Sequence, residues 1–74
     1  MRKRLKLSIP SKRIDEPIIF KIVTTYNLKP NILEAQLEPE QSGHVMLELD
    51  GNPVDVERGI LYLKELDILV EDLD

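Results

Sequence analysis

The sequence has no cysteine, no tryptophan, one histidine, three glycines and three aromatic residues, Phe20, Tyr26 and Tyr62. Without cysteine there is no disulfide, no thiolate metal site and no Cys–His nucleophile pair. One histidine, His44, leaves little material for a general base, and Ser8, Ser11 and Ser42 have no neighbours that suggest activation. Three scattered glycines form no phosphate-cradling loop. The carboxylates are numerous, but none is marked as a pair for acid–base work. These absences predict a protein with no catalytic residues, no bound metal and no cofactor. No apolar run approaches the roughly 20 residues that span a bilayer. The basic start, Met1 to Lys6, has no apolar segment behind it and is not read as a signal peptide. A cytoplasmic protein without membrane insertion is expected.

What is present supports one small globular domain, residues 1–74. A hydrophobic fraction of 42% argues against disorder. A chain of 74 residues buries only about 60% of its unfolded surface, so a second copy would be a natural stabiliser. Charge is unevenly spread. Residues 1–30 carry eight basic and two acidic side chains; residues 31–74 carry two basic and twelve acidic ones. A basic end can mark a nucleic-acid site. With almost no aromatics to stack on bases, the preferred reading is that a basic strand lies beside acidic ones and no nucleic acid is bound.

Residues 30–50 read as a hairpin. Leu33, Ala35 and Leu37 alternate with Glu34, Gln36 and Glu38; Val45, Leu47 and Leu49 alternate with His44, Met46, Glu48 and Asp50. Period-two alternation marks strands with one face on a core. Glu40 to Gly43 supplies the turn, with Gly43 free to take a positive φ. Before the hairpin, Arg4 to Ile9 alternates as a first strand ended by Pro10. Asp15 is a candidate helix cap, followed by Glu16 and Pro17, and a helix to about Tyr26 would carry the stripe Ile19, Ile22, Val23 and Tyr26. Asn27 suits its end. After the hairpin, Asn52 caps a second helix with Pro53 at its first position and Asp55 in its first turn. Val56, Ile60, Leu63 and Leu66 form its stripe, and Gly59 suggests close packing on a neighbour. That helix ends near Asp67, and Ile68 to Leu73 forms the last strand.

The order strand, helix, strand, strand, helix, strand predicts an α+β, ferredoxin-like βαββαβ sandwich. Its sheet is four-stranded and antiparallel, with two helices on one face. Strand order four, one, three, two would set Lys6 between Glu48 and Glu71, with Arg4 also near acidic residues. Ile32, Met46 and Leu69 would interrupt the open polar face as a candidate interface. The second strand would be an edge bracketed by Pro30 and Pro39, a template for pairing with another molecule.

The run Asn31-Ile32-Leu33, after a helix ending Tyr26-Asn27-Leu28, carries a family likeness. So do Glu16-Pro17-Ile18-Ile19, the strand Gly43 to Leu49, and Ile60 to Leu66 before Ile68 and Val70. Over roughly residues 4–73 the chain resembles the NIL domain, in its small free-standing form. The resemblance implies a ferredoxin-like fold and a non-enzymatic regulatory module, similar to the C-terminal domain of methionine-importer ATPases. It further implies a homodimer that holds methionine or a related sulfur amino acid between its copies. Asn31 would make a polar ligand contact, with Ile32 and Leu33 shaping the wall. The alternative is an adaptor, without a small-molecule ligand, that docks on an enzyme or transporter of sulfur metabolism.

Overall fold

The computed structural model describes residues 1–38 and 41–74. Strand β1 (Arg2–Ile9) leads through a 3-10 turn (Ser11–Arg13) to helix α1 (Ile18–Thr24). Strands β2 (Lys29–Gln36) and β3 (Gly43–Asp50) follow, then helix α2 (Pro53–Glu65) and strand β4 (Leu69–Asp72). The sheet order is β2-β3-β1-β4, with every neighbouring pair antiparallel. This is the expected α+β, ferredoxin-like arrangement. Glu40 of the expected turn and Pro39, the expected bracket of the edge strand, lie outside the described residues.

The core sits where the two central strands meet the helices. Leu5, Leu7 and Ile9 of β1 and Val45, Leu47 and Leu49 of β3 are buried, as their alternation requires. They pack with Ile18 and Ile22 of α1 and Val56 and Leu63 of α2. Leu28 and Ile68, just after the two helices, complete the core. Both helices end on a left-handed residue, Asn27 at φ 56° and Asp67 at φ 63°. Short polar side chains tolerate that conformation, and each turn sends the next residue inward.

Helix α2 is built as its sequence indicates. The Asn52 Oδ1 accepts the Asp55 N–H at 3.0 Å, Pro53 opens the helix, and Asp55 sits in the positive first turn. Gly59 is buried, and it has no room for a side chain: a Cβ there would stand 2.5 Å from Leu28 Cδ1. Helix α1 departs from expectation. It starts at Ile18, Pro17 occupies the cap position, and no side chain caps it, so Asp15 does not do so. It has seven residues, and its buried stripe is Ile18 and Ile22, flanked by partly buried Ile19 and Tyr26. Val23 is exposed rather than in the stripe. Tyr26 reaches α2 instead, its ring centroid 5.2 Å from that of Tyr62, with the Arg58 guanidinium over the Tyr26 ring at 5.7 Å from the centroid. Burial, seconded by the charge of Glu16, raises the Tyr62 hydroxyl above its usual pKa.

Gly43 also differs from expectation. It lies buried within β3, and no glycine has positive φ. Its role is close approach: a Cβ would collide with Leu37 Cδ2 and come within 2.8 Å of Ile14 Cδ1.

Candidate functional site

The basic strand is flanked by acidic residues, in a register one step away from expectation for Lys6. Arg4 stands opposite Glu48, whereas Lys6 stands between Met46 and Glu71, not between Glu48 and Glu71. Arg2 pairs with Asp50 at 3.8 Å and Lys3 with Asp72. The Lys3 hydrogen bond, seconded by the Asp74 N–H, holds the Asp72 carboxyl below its ordinary range, and that bond raises Lys3. These exposed pairs are modest stabilisers.

Strand β2 is the edge, and it is poorly covered. Every residue from Asn31 to Gln36 is exposed. Pro30 lies within the strand, opposite Leu49, rather than at its boundary. A bulge falls between Ile32 and Glu34, which makes Leu33 the extra residue. The bulge resets the faces. Pro30, Ile32 and Ala35 stand opposite the inward residues Leu49, Leu47 and Val45, while Asn31, Glu34 and Gln36 stand opposite Glu48, Met46 and His44. The inward set of β2 is therefore Pro30, Ile32 and Ala35: Ala35 is inward as expected, Leu37 just beyond the strand also lies on the helix side, and Leu33 does not join them.

This places the sequence-derived residues on two sides of the sheet. Asn31 is in register with the open face, Ile32 with the helix side, and Leu33 sits in the bulge. Ile32 consequently does not share a face with Met46 and Leu69. Those two do share the open face, but Met46 is opposite Lys6 and Leu69 opposite Ser8, so β1 separates them.

On the helix side, the short α1 leaves an apolar cleft beside the edge. Ile32, Ala35 and Leu37 form one wall; Ile14, Ile19 and Phe20 form the other. Phe20 is 64% exposed, Leu37 52% and Ile32 51%. The cleft is a place where large apolar surface stays in water beside unpaired strand backbone. Phe20 was not singled out from the sequence because it lies off the α1 stripe; its very position off the stripe was the available signal. On the open face a second, polar hollow is lined by Lys6, Glu34, Gln36, His44 and Met46. The His44 Nδ1 lies 3.4 Å from the Ser8 Oγ, a long contact at an exposed position. Among the described residues, no three acidic or histidine side chains converge as a metal site needs.

Residues 3–72 match the family model of the NIL domain. The chain belongs to the NIL domain family. It is 32% identical over 72 residues to the methionine import ATP-binding protein MetN of Lacticaseibacillus paracasei, covering 93% of this chain and 21% of that protein. It is 34% identical over 65 residues to the L-aspartate semialdehyde sulfurtransferase iron-sulfur subunit of Methanocaldococcus jannaschii, covering 88% of this chain and 49% of that subunit. The NIL domain thus spans about a fifth to a half of these relatives. In fold it matches the crystal structure of the C-terminal domain of an ABC transporter ATP-binding protein from Enterococcus faecalis. The TM-score is 0.82 at 23% identity, over 96% of this chain and 82% of that one. Among the described residues no helix is long and apolar enough to cross a membrane.

Proposed function

We propose that this NIL domain is a non-catalytic, ligand-binding regulatory module. It takes methionine or a related sulfur amino acid at a seam formed when two copies meet along β2. Residues 1–74 act as one domain in the cytoplasm in this reading. The carrying observation is the β2 edge, whose inward residue Ile32 stays half exposed above an apolar cleft. A thioether side chain suits apolar walls, and a ligand's polar head suits unpaired strand backbone. Kinship with the methionine importer ATPase supports the choice of amino acid.

The test is thermal unfolding of the chain with and without L-methionine. At about 100 times its Kd, a ligand adds about 2.7 kcal/mol. For a domain of this size that raises Tm by roughly 10 °C or more. Sedimentation at several concentrations should show a dimer that L-methionine strengthens. An unchanged Tm across sulfur amino acids would remove this function.

The second reading is the adaptor, favoured by relatives that are larger ATPases and enzyme subunits. It uses the half-buried Met46 and exposed Leu69 of the open face. In that case Met46→Glu abolishes capture by the partner and leaves the circular dichroism of the fold unchanged.

A further inference from the structure

The polar hollow on the open face brings together the chain's one imidazole and one of its two thioethers. His44 and Met46 lie two residues apart on β3, so their side chains leave the same face of the sheet. Strand geometry sets their Cα atoms about 7 Å apart. Across the β2–β3 register, Glu34 stands opposite Met46 and Gln36 opposite His44. All four line the hollow. The Ser8 Oγ of β1 lies 3.4 Å from the His44 Nδ1, which leaves Nε2 as the nitrogen open to a further partner. In metal sites, a contact at the second ring nitrogen fixes the tautomer and orientation of the ligating imidazole. The hollow thus offers one nitrogen, one soft sulfur and one carboxylate from neighbouring positions.

The donor set selects the ion. A chain without cysteine has no thiolate, so Met46 is the soft donor beside the imidazole. Magnesium and calcium take oxygen ligands, whereas a thioether favours monovalent copper. Charge points the same way. Lys6 also lines the hollow, standing between Met46 and Glu71 in the sheet. Lys6, Glu34 and Glu71 together carry one net negative charge, which a monovalent cation balances and a divalent one exceeds. Bonds of about 2.0 Å to nitrogen and about 2.3 Å to sulfur, the lengths zinc makes, need donors about 4 Å apart. Side chains that start about 7 Å apart and share one hollow reach that separation by rotamer changes alone. We propose that the His44 Nε2 and Met46 Sδ bind a soft monovalent metal ion, Cu(I), with Glu34 completing the site from β2. This goes beyond the amino-acid and adaptor readings, since it needs no second copy, no amino acid and no protein partner.

The experiment is an NMR titration of the whole chain in chloride-free buffer without amino acids. The probes are Ag(I), an air-stable soft monovalent ion, and Cu(I) under anaerobic conditions. The expected result is that the Met46 methyl and His44 ring resonances shift together and saturate at one ion per chain, while the Met1 methyl stays in place. His44→Gln and Met46→Leu should each weaken binding at least tenfold, and Glu34→Gln by a smaller factor. His44 and Glu34 are exposed and Met46→Leu nearly conserves volume, so dispersed spectra are expected from all three variants. Zn(II) at the same concentrations should leave the Met46 methyl unmoved. A His44 ring that responds while the Met46 methyl does not would overturn the site, because it would show an isolated surface imidazole. Shifts centred on Met1, binding unchanged in the His44 and Met46 variants, or no shift with either ion would overturn it as well. None of these outcomes bears on the melting response to L-methionine, so this site and the amino-acid reading stand or fall separately.

Discussion

The two ends of the sheet are finished differently. At the β4 end, a thirteen-residue helix with a side-chain cap covers the sheet, and the four-residue edge strand is tied to β1 by Lys3 and Asp72. At the β2 end, a seven-residue helix without a side-chain cap leaves an eight-residue edge strand with Asn31 to Gln36 exposed. A short, tied edge resists adventitious pairing, whereas a long, half-covered one invites a partner. The contrast is one of coverage: the β4 end is closed over, and the β2 end leaves apolar surface in water. The α2 half and the central strands hold the fold together; the α1–β2 half presents surface.

Paired substitutions sharpen that contrast. Leu47 and Ile32 face each other across β3 and β2, yet Leu47 is fully buried and Ile32 is 51% exposed. Leu47→Ala should cost roughly 2–5 kcal/mol in denaturant unfolding, enough to unfold much of so small a domain. Ile32→Ala should cost far less and instead weaken association or the ligand response. Equal losses at both positions would mean that the β2 end is as much a core as the centre. Next in size is Gly59→Val, which drives a branched side chain against buried Leu28. Overpacking of this kind costs about 1–3 kcal/mol, and a lowered Tm with native-like circular dichroism is the expected outcome.

The helix caps give a smaller test of the same division. Asn52→Ala should cost about 1 kcal/mol because the Asp55 N–H loses its acceptor. Asp15→Ala should fall within about 0.5 kcal/mol, since α1 has no side-chain cap to lose. The smallest effect belongs to the Lys3–Asp72 tie, which is exposed. The folded Asp72 pKa is depressed, so its contribution is present above the ordinary carboxylate range and fades as pH falls through the folded value. The folded Lys3 pKa is raised, so its contribution is complete below the ordinary lysine value and fades as pH climbs through the raised one. Asp72→Asn should therefore flatten the acid side of the stability–pH curve slightly and leave the neutral spectrum of the fold unchanged.

The same division governs how much could be read from the sequence. Leu5, Leu7 and Ile9, and Val45, Leu47 and Leu49, sit in regular strands where alternation maps directly onto burial. Asn52-Pro53 is a local cap signal that needs no tertiary context. In β2 one inserted residue, Leu33, puts the two parts of the strand out of phase, so Ala35 keeps its expected inward place while Ile32 rather than Leu33 faces inward before it. Ile32 and Leu33 are both apolar, so the pattern itself did not reveal which was the extra one. Gly43 was legible as necessary but not for its reason: the same residue serves a positive φ and the close approach of Leu37, and here only the second applies. The candidate site suffered most. Asn31, Ile32 and Leu33 are adjacent in sequence but distributed about both sides of the edge, and Phe20 joins the cleft from a helix that starts at Ile18, three residues beyond the cap signal at Asp15.

The proposed seam covers the β2 edge and leaves the β4 edge open. Amide hydrogen exchange, measured at low and high protein concentration and with L-methionine, tests it most directly. The outward amides of β2 should exchange quickly in the dilute free chain and slow at least tenfold with concentration and ligand. The outward amides of β4 should not respond. Equal behaviour of the two edges under all three conditions would contradict the account.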